Sequence, residues 1–270
     1  MSGDADIRGI KVHYEVWNES ASQTCVFLHG FTGSTKTWEE VIRKMPNHVR
    51  AVAVDLTGHG LTESPAEPSR YETAQQVEDL EALFDHLQLS TFTLVGYSMG
   101  GRIALSYSLA HPQRVNQLFL ESSSPGLSDP EEREKRRESD EVLAGRIEQE
   151  GLESFVDYWE KIPLFQSQLS LSPEKQQQIR TERLSQKSVG LANSLRGIGT
   201  GSQPSNWERL DALSLPVLLL TGEYDEKFCK IANEMLGRLP NAIVKTISGA
   251  GHAIHVEKPE QFATIITEHL

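Results

Sequence analysis

The segment LVGYSMGGR, residues 94–102, constrains the fold of this chain more than any other. A serine stands between two glycines, an apolar run ends just before it, and a helical stretch begins just after it. This is the pattern G-x-S-x-G, and its requirement is steric. The backbone must pass closely on both sides of a strained serine whose hydroxyl stands at the carboxyl edge of a sheet. Ser98 is thereby a candidate nucleophile or base. A glycine-rich strand-to-helix turn with an incidental serine is the plainer alternative, so partner residues elsewhere must decide.

The rest of the chain supplies a sheet for this turn. Residues 9–17, GIKVHYEVW, alternate apolar and polar as an edge hairpin strand should. Residues 24–30 and 49–55 are short apolar runs that stop at turn residues, suiting buried parallel strands. Residues 72–89 set Val77, Leu80, Leu83, Phe84 and Leu87 on one helical face. Strands follow at 91–96, 114–122, 215–222 and 242–248, with helices at Met99–Ala110 and Pro259–Glu268. Such alternation predicts an α/β class fold: a mainly parallel sheet with helices on both faces. One region breaks the rhythm. Residues 127–206 hold only helical patterns, including a dense mixed-charge run at 129–151 that reads as a solvated helix face. The expected organisation is a core of residues 1–126 and 207–270 with a helical cap of residues 127–206 inserted into it.

A serine hydroxyl is inert until a base takes its proton, and the base must be held in one tautomer by an acid. In this fold the order along the chain is serine, acid, histidine. Asp225 follows the strand at 215–222, and His252 follows the strand at 242–248, so both are expected in loops at the same sheet edge as Ser98. Asp55 lies upstream of the serine and reads as part of a self-bonded turn. His255 rivals His252 but stands closer to the last helix, and His29 reads as structural. An oxyanion needs backbone donors, for which the N–H groups of Met99 and of Phe31, in the loop HGFTG, are the candidates.

Arg102 is four residues past Ser98 on a helix, so the two side chains share a face. A guanidinium there suits a carboxylate-bearing ligand, or else a nearby surface acid. The segments HGFTGS, VDLTGHG, VGYSMGGRIAL, DYWEKIPLF, LRGIGTGSQPS and GEYDEKF are similar, over the whole length, to the MenH family of menaquinone biosynthesis. Its members are 2-succinyl-6-hydroxy-2,4-cyclohexadiene-1-carboxylate (SHCHC) synthases of the α/β-hydrolase fold. The resemblance implies a 2,5-elimination of pyruvate from 2-succinyl-5-enolpyruvyl-6-hydroxy-3-cyclohexene-1-carboxylate (SEPHCHC), a tricarboxylate held by arginines. Arg102 matches one of these, Arg183 in the cap a second, and Arg136, rather than Arg137, a third. Tyr97 and Trp159 match the family's aromatic wall. It also implies that Ser98, relayed through His252 and Asp225, removes a ring proton rather than attacking a carbonyl.

Two alternatives stay open: a serine hydrolase of esters or carbon–carbon bonds of a small acid, and a non-catalytic ligand sensor on the same fold. A net charge of −12 argues against nucleic acid or an anionic membrane as partner, and any acidic substrate needs a local basic site working against that field; the small anionic substrate is what the resemblance implies. A monomer is expected. Cys25 and Cys229 are expected to be buried free thiols, since two cysteines make no disulfide framework. With no metal cluster, phosphate loop or cofactor fingerprint in the sequence, no cofactor is expected. The polar N-terminus and the lack of any run of ~20 apolar residues lead to a cytoplasmic expectation.

Overall fold

Apolar residues in successive positions of each central strand face opposite ways, and both faces are buried. A computed structural model describes all 270 residues. Its eight strands are β1 (Ser2–Ile7), β2 (Ile10–Trp17), β3 (Gln23–Leu28), β4 (Val49–Val54), β5 (Phe92–Tyr97), β6 (Val115–Glu121), β7 (Val217–Gly222) and β8 (Ala242–Ile247). They form one sheet in the order β1-β2-β4-β3-β5-β6-β7-β8, in which β2 runs antiparallel to both its neighbours, β1 and β4, and the remaining pairs are parallel. The helices are α1 (Glu39–Ile42), α2 (Thr73–His86), α3 (Met99–Ala110), α4 (Pro130–Trp159), α5 (Pro173–Leu184), α6 (Ser188–Ile198), α7 (Glu226–Leu236), α8 (Ile254–Glu257) and α9 (Pro259–Glu268).

The alternation sorts the core into two layers. Val26, Leu28, Leu94, Leu118 and Leu219 point to the face covered by α2, α3 and α7, where Leu83, Phe84, Ile103, Tyr107 and Met235 pack. Cys25, Phe27, Val95, Phe119 and Leu218 point to the other, against Trp38, Val41, Phe262 and Ile266. Between β6 and β7 the chain is helical. There a 3₁₀ segment, Pro163–Ser170, joins α4 to α5, α6 follows, and Ala144, Ile147, Phe155, Leu191 and Leu195 belong to a third small core. The charged first arm of α4 turns Asp140, Ala144 and Ile147 inward, and the helix breaks at Gly151, whose φ is 85°. No helix is long and apolar enough to cross a membrane.

Two readings differ from the sequence expectation. The strand expected at the sheet edge, β2, is second; the edge is β1, joined to it by a hairpin turn at Arg8 and Gly9, both with positive φ. SGDADI buries only Ala5 and Ile7, too few apolar residues to signal a strand without its partner. Cys25 is buried as expected, and burial pushes its thiol up to about 12. Cys229 is only half-buried on α7, its Sγ directed to Thr221 and the Gly222 carbonyl.

Candidate active site

The turn from β5 into α3 is a strained elbow. Ser98 has φ 50° and ψ −107°, a conformation that costs a non-glycine residue about 1–3 kcal/mol. The two flanking glycines exist for contact. A Cβ on Gly96 would stand 2.6 Å from the Gly100 carbonyl oxygen, and one on Gly100 would stand 2.3 Å from that of Leu28. The first turn of α3 thus rests directly on the end of β3, bringing the loop after β3 beside the serine.

The acid and the histidine arrive from the next strand ends. Asp225 caps α7, its Oδ1 accepting from Phe228 N at 3.3 Å, and its Oδ2 accepts from His252 Nδ1 at 2.6 Å. His252 Nε2 lies 3.1 Å from Ser98 Oγ. With Nδ1–H on the aspartate, Nε2 is left to accept the serine proton. The histidine is 1% exposed, walled by the rings of Phe228, Tyr97 and Phe165 at 4.7, 5.4 and 6.1 Å. The two loops are tied together, with Tyr224 N donating to Ala250 O at 2.9 Å and Gly249 N to Glu223 at 2.8 Å, while Gly251 N donates to Glu257 at 2.8 Å within the histidine loop.

Phe31 lies in a turn closed by Gly33 N on Gly30 O at 3.1 Å. The turn holds Thr32 at φ 68°, unusual for a β-branched residue. Met99 N is the first amide of α3 and has no partner within the helix. Phe31, Met99, Ser98 and His252 all border one cavity of about 1160 Å³ beneath the cap.

The cavity also receives Arg102, Arg136, Tyr97 and Trp159. Arg102 is buried, and its Nη1 donates to Ile198 O at 2.8 Å and to Gln203 Oε1. Its Nε and Nη2 donate to no protein acceptor. No surface acid pairs with it, so the surface ion-pair alternative is not what the structure contains. Desolvation, followed by repulsion from Arg136, lowers its pKa to about 10. Arg136 is aimed by Asp140, with Nε to Oδ1 at 2.8 Å. Burial raises the Asp140 carboxyl pKa even though Arg136 opposes it. Arg137 lies outside the cavity, on Gly201 O and Glu134.

Arg183 is not brought into this group. It borders a smaller space, which Phe31, Tyr97 and Phe165 share with the large cavity. Its guanidinium lies 4.7 Å over the Phe165 ring and donates to Gln168 Oε1 at 3.1 Å. The rival residues have other duties. Asp55 accepts from Thr35 N at 2.6 Å and Leu61 N at 2.8 Å, so it braces two loops. His29 donates from Nδ1 to Gly30 O at 2.8 Å and accepts from Leu56 N at 3.0 Å. His255 pairs with Glu121. No three His, Cys, Asp or Glu side chains are arranged to hold a metal ion.

Sequence reasoning missed several lining residues, among them Ser122, Ser124, Phe165 and Phe228. Ser122 carries the one signal that could have found it: it stands just past the carboxyl end of the strand beside the serine's own, where sites of parallel sheets collect.

Residues 24–259 match the α/β hydrolase fold family. The chain is 47% identical over 261 residues to a Bacillus subtilis (strain 168) protein assigned as 2-succinyl-6-hydroxy-2,4-cyclohexadiene-1-carboxylate synthase, covering 96% of this chain and 95% of that one. It is 32% identical to the synthase of the same name from Enterobacter sp. (strain 638), over 91% of this chain and 90% of that one. Among solved structures, MenH from S. aureus superposes with a TM-score of 0.90 at 40% identity, covering 94% of this chain and 96% of that one.

Proposed function

The chain belongs to the 2-succinyl-6-hydroxy-2,4-cyclohexadiene-1-carboxylate synthase family of the α/β-hydrolase fold, and from that premise we propose that it is a lyase of menaquinone biosynthesis. The reaction converts SEPHCHC into SHCHC and pyruvate. The observation that carries this reading is the pairing of two unlike parts in one cavity. A serine stands 3.1 Å from a histidine that is itself 2.6 Å from an aspartate. Beside it, the buried Arg102 keeps two donor nitrogens unspent on protein. A hydrolase of neutral esters needs the first part but has no use for the second. A multiply charged acid needs both.

Ser98 Oγ takes the ring proton next to the succinyl ketone as its own proton passes to His252 Nε2. Asp225 stabilises the imidazolium that forms. The electron pair of the broken C–H bond moves into the ketone, and the oxyanion is met by the N–H groups of Phe31 and Met99. That pair then returns through the ring, the C–O bond to the enolpyruvyl group breaks, and pyruvate leaves as its enolate, which takes a proton. Electrons balance without an acyl-enzyme or water. Arg102 and Arg136 hold carboxylates of the bound acid, with Arg183 supporting from behind Tyr97 and Phe165. Burial strengthens these contacts relative to water, which lets a local cation pair outweigh a net charge of −12 spread over the surface.

The deciding assay supplies SEPHCHC and follows pyruvate release together with the absorbance of the diene. The expected outcome is stoichiometric appearance of both, lost in Ser98→Ala. Hydrolysis of a simple ester with an accumulating acyl-enzyme, and no pyruvate, would replace the lyase by a hydrolase. An unchanged ligand would leave only a sensor.

A further inference from the structure

Three residues beyond the histidine of the site lies a second buried acid–imidazole pair with no part in the chemistry above. Glu121 and His255 each have side chains 0% exposed, and His255 Nδ1 stands 2.9 and 2.8 Å from the two carboxylate oxygens. The backbone N–H of His255 donates to the same carboxylate at 3.1 Å. At its other end, Glu121 offers its carbonyl oxygen to the N–H of Ser98 at 2.9 Å. Tyr97 is the register partner of Glu121 across β5 and β6, and its ring rests on the His255 ring with centroids 4.5 Å apart.

A carboxylate taken wholly out of water costs several kcal/mol unless it is fully paired, and a well-packed apolar pair of similar volume serves stability as well or better. Glu121 is therefore an expensive way to fill space. What an apolar residue cannot do is hold two loops at once. From one residue, hydrogen bonds run to the elbow that carries Ser98 and to the first turn of α8, which follows His252 directly. The distance between those two elements is the quantity on which proton transfer depends, and a misplacement of about 1 Å costs on the order of 10²-fold in rate.

We propose that Glu121 is a positioning residue that sets the separation of Ser98 and His252 by gripping the nucleophile elbow through its carbonyl and the histidine loop through its carboxylate. The inference shares the triad assignment with the proposed function but not its reaction.

The test compares Glu121→Gln, which keeps an acceptor for both His255 N–H groups, with Glu121→Met, which keeps the volume and loses the acceptor. Two readouts are taken at a temperature where each variant is folded. One is kcat and KM on SEPHCHC. The other is the rate of phosphonylation by a fluorophosphonate, in which a Ser98 Oγ–P bond forms and fluoride leaves. Glu121→Met is expected to lower kcat and labelling together by about 30–100-fold with KM within about twofold. Glu121→Gln is expected to stay within about threefold of the parent on both. Where Glu121→Met does not fold, His255→Leu deletes the ring half of the link and is expected to slow labelling by about tenfold. A folded Glu121→Met or His255→Leu with parental kcat and labelling, whatever its melting temperature, overturns the proposal. Equal losses in Glu121→Gln and Glu121→Met also overturn it, since charge rather than position would then be the cause. A parent protein that labels quickly but releases no pyruvate refutes the lyase and leaves the positioning role standing.

Discussion

The guanidinium of Arg102 occupies a place that stability alone would not select. Its pKa falls from 12.5 to about 10, through desolvation first and repulsion from Arg136 second, so its surroundings disfavour the charge they hold. The charge stays on at neutral pH because about 10 still lies well above 7, and Ile198 O and Gln203 hold one end of the group. Its Nε and Nη2 donate to no protein acceptor, which is what the proposed carboxylate contact requires. Arg102→Met is therefore expected to leave the melting temperature unchanged or higher, while kcat/KM on the tricarboxylate falls by at least about 10²-fold, as loss of a bidentate charged contact requires. A kcat/KM within threefold of the parent, measured at pH 7, would remove Arg102 from the binding site. The same cradle explains a sequence signature. In LRGIGTGSQPS, Ile198 and Gln203 are the groups that grip Arg102, and a Cβ on Gly199 would fall 2.4 Å from Asp140.

At the scale of elements, the cap is wired to the loop that carries Phe31. Glu182 on α5 accepts from Ser34 Oγ and Thr37 Oγ1, both at 2.7 Å. Gln186 accepts from Gly60 N at 2.9 Å and donates to Gly33 O at 3.2 Å. The neighbour of Glu182 on the same helix is Arg183. One short stretch of cap thus registers a cation and the Phe31 loop together. Glu182→Ala is expected to cost about 1–3 kcal/mol, seen as faster amide exchange over residues 31–37 by about tenfold or more, with kcat/KM lowered. Exchange confined to the cap, with residues 31–37 unchanged, would show that the two elements are not coupled. A second tie, Ser167 Oγ on Glu257 at 2.8 Å, joins the 3₁₀ segment of the cap to the histidine loop.

For the molecule as a whole, buried neutral histidines set the acid limit of stability. Burial lowers the His59 pKa from 6.5 to about 3, and lowers that of His29 as well. Below pH 6.5 the unfolded chain binds protons that the folded one refuses. The contribution of His59 is thus complete above about pH 6.5 and is lost as pH drops toward 3, by about 1.4 kcal/mol per pH unit, and His29 acts in the same direction. Urea unfolding at stepped pH should show this slope, and His59→Phe should flatten it by about one histidine's share. An identical slope in that variant would place the acid sensitivity elsewhere.

The fold and the meeting of Ser98, His252 and Asp225 were legible in the sequence because they depend on local rules. Two-residue alternation writes a strand, glycines around Ser98 write an elbow, and the turn after a parallel strand must open at one sheet edge. Ser98, Asp225 and His252 could thus be named from their places at strand ends. The edge strand β1 was not legible, since SGDADI becomes a strand only against β2. The choice of Arg136 over Arg137 was carried by resemblance alone; in the structure Asp140, four residues along, aims the first toward the cavity, while Gly201 draws the second away. The offset of Arg183 behind Tyr97 and Phe165 and the grip of Glu121 on two loops depend on which residues meet across long stretches of chain. By itself the sequence determined the sheet apart from β1, its helices and the strand ends at which Ser98, Asp225 and His252 stand, because each follows from residues near one another. Only the tertiary structure decided which charges share the cavity, because burial and hydrogen bonding between distant segments, not spacing along the chain, set the energy of each.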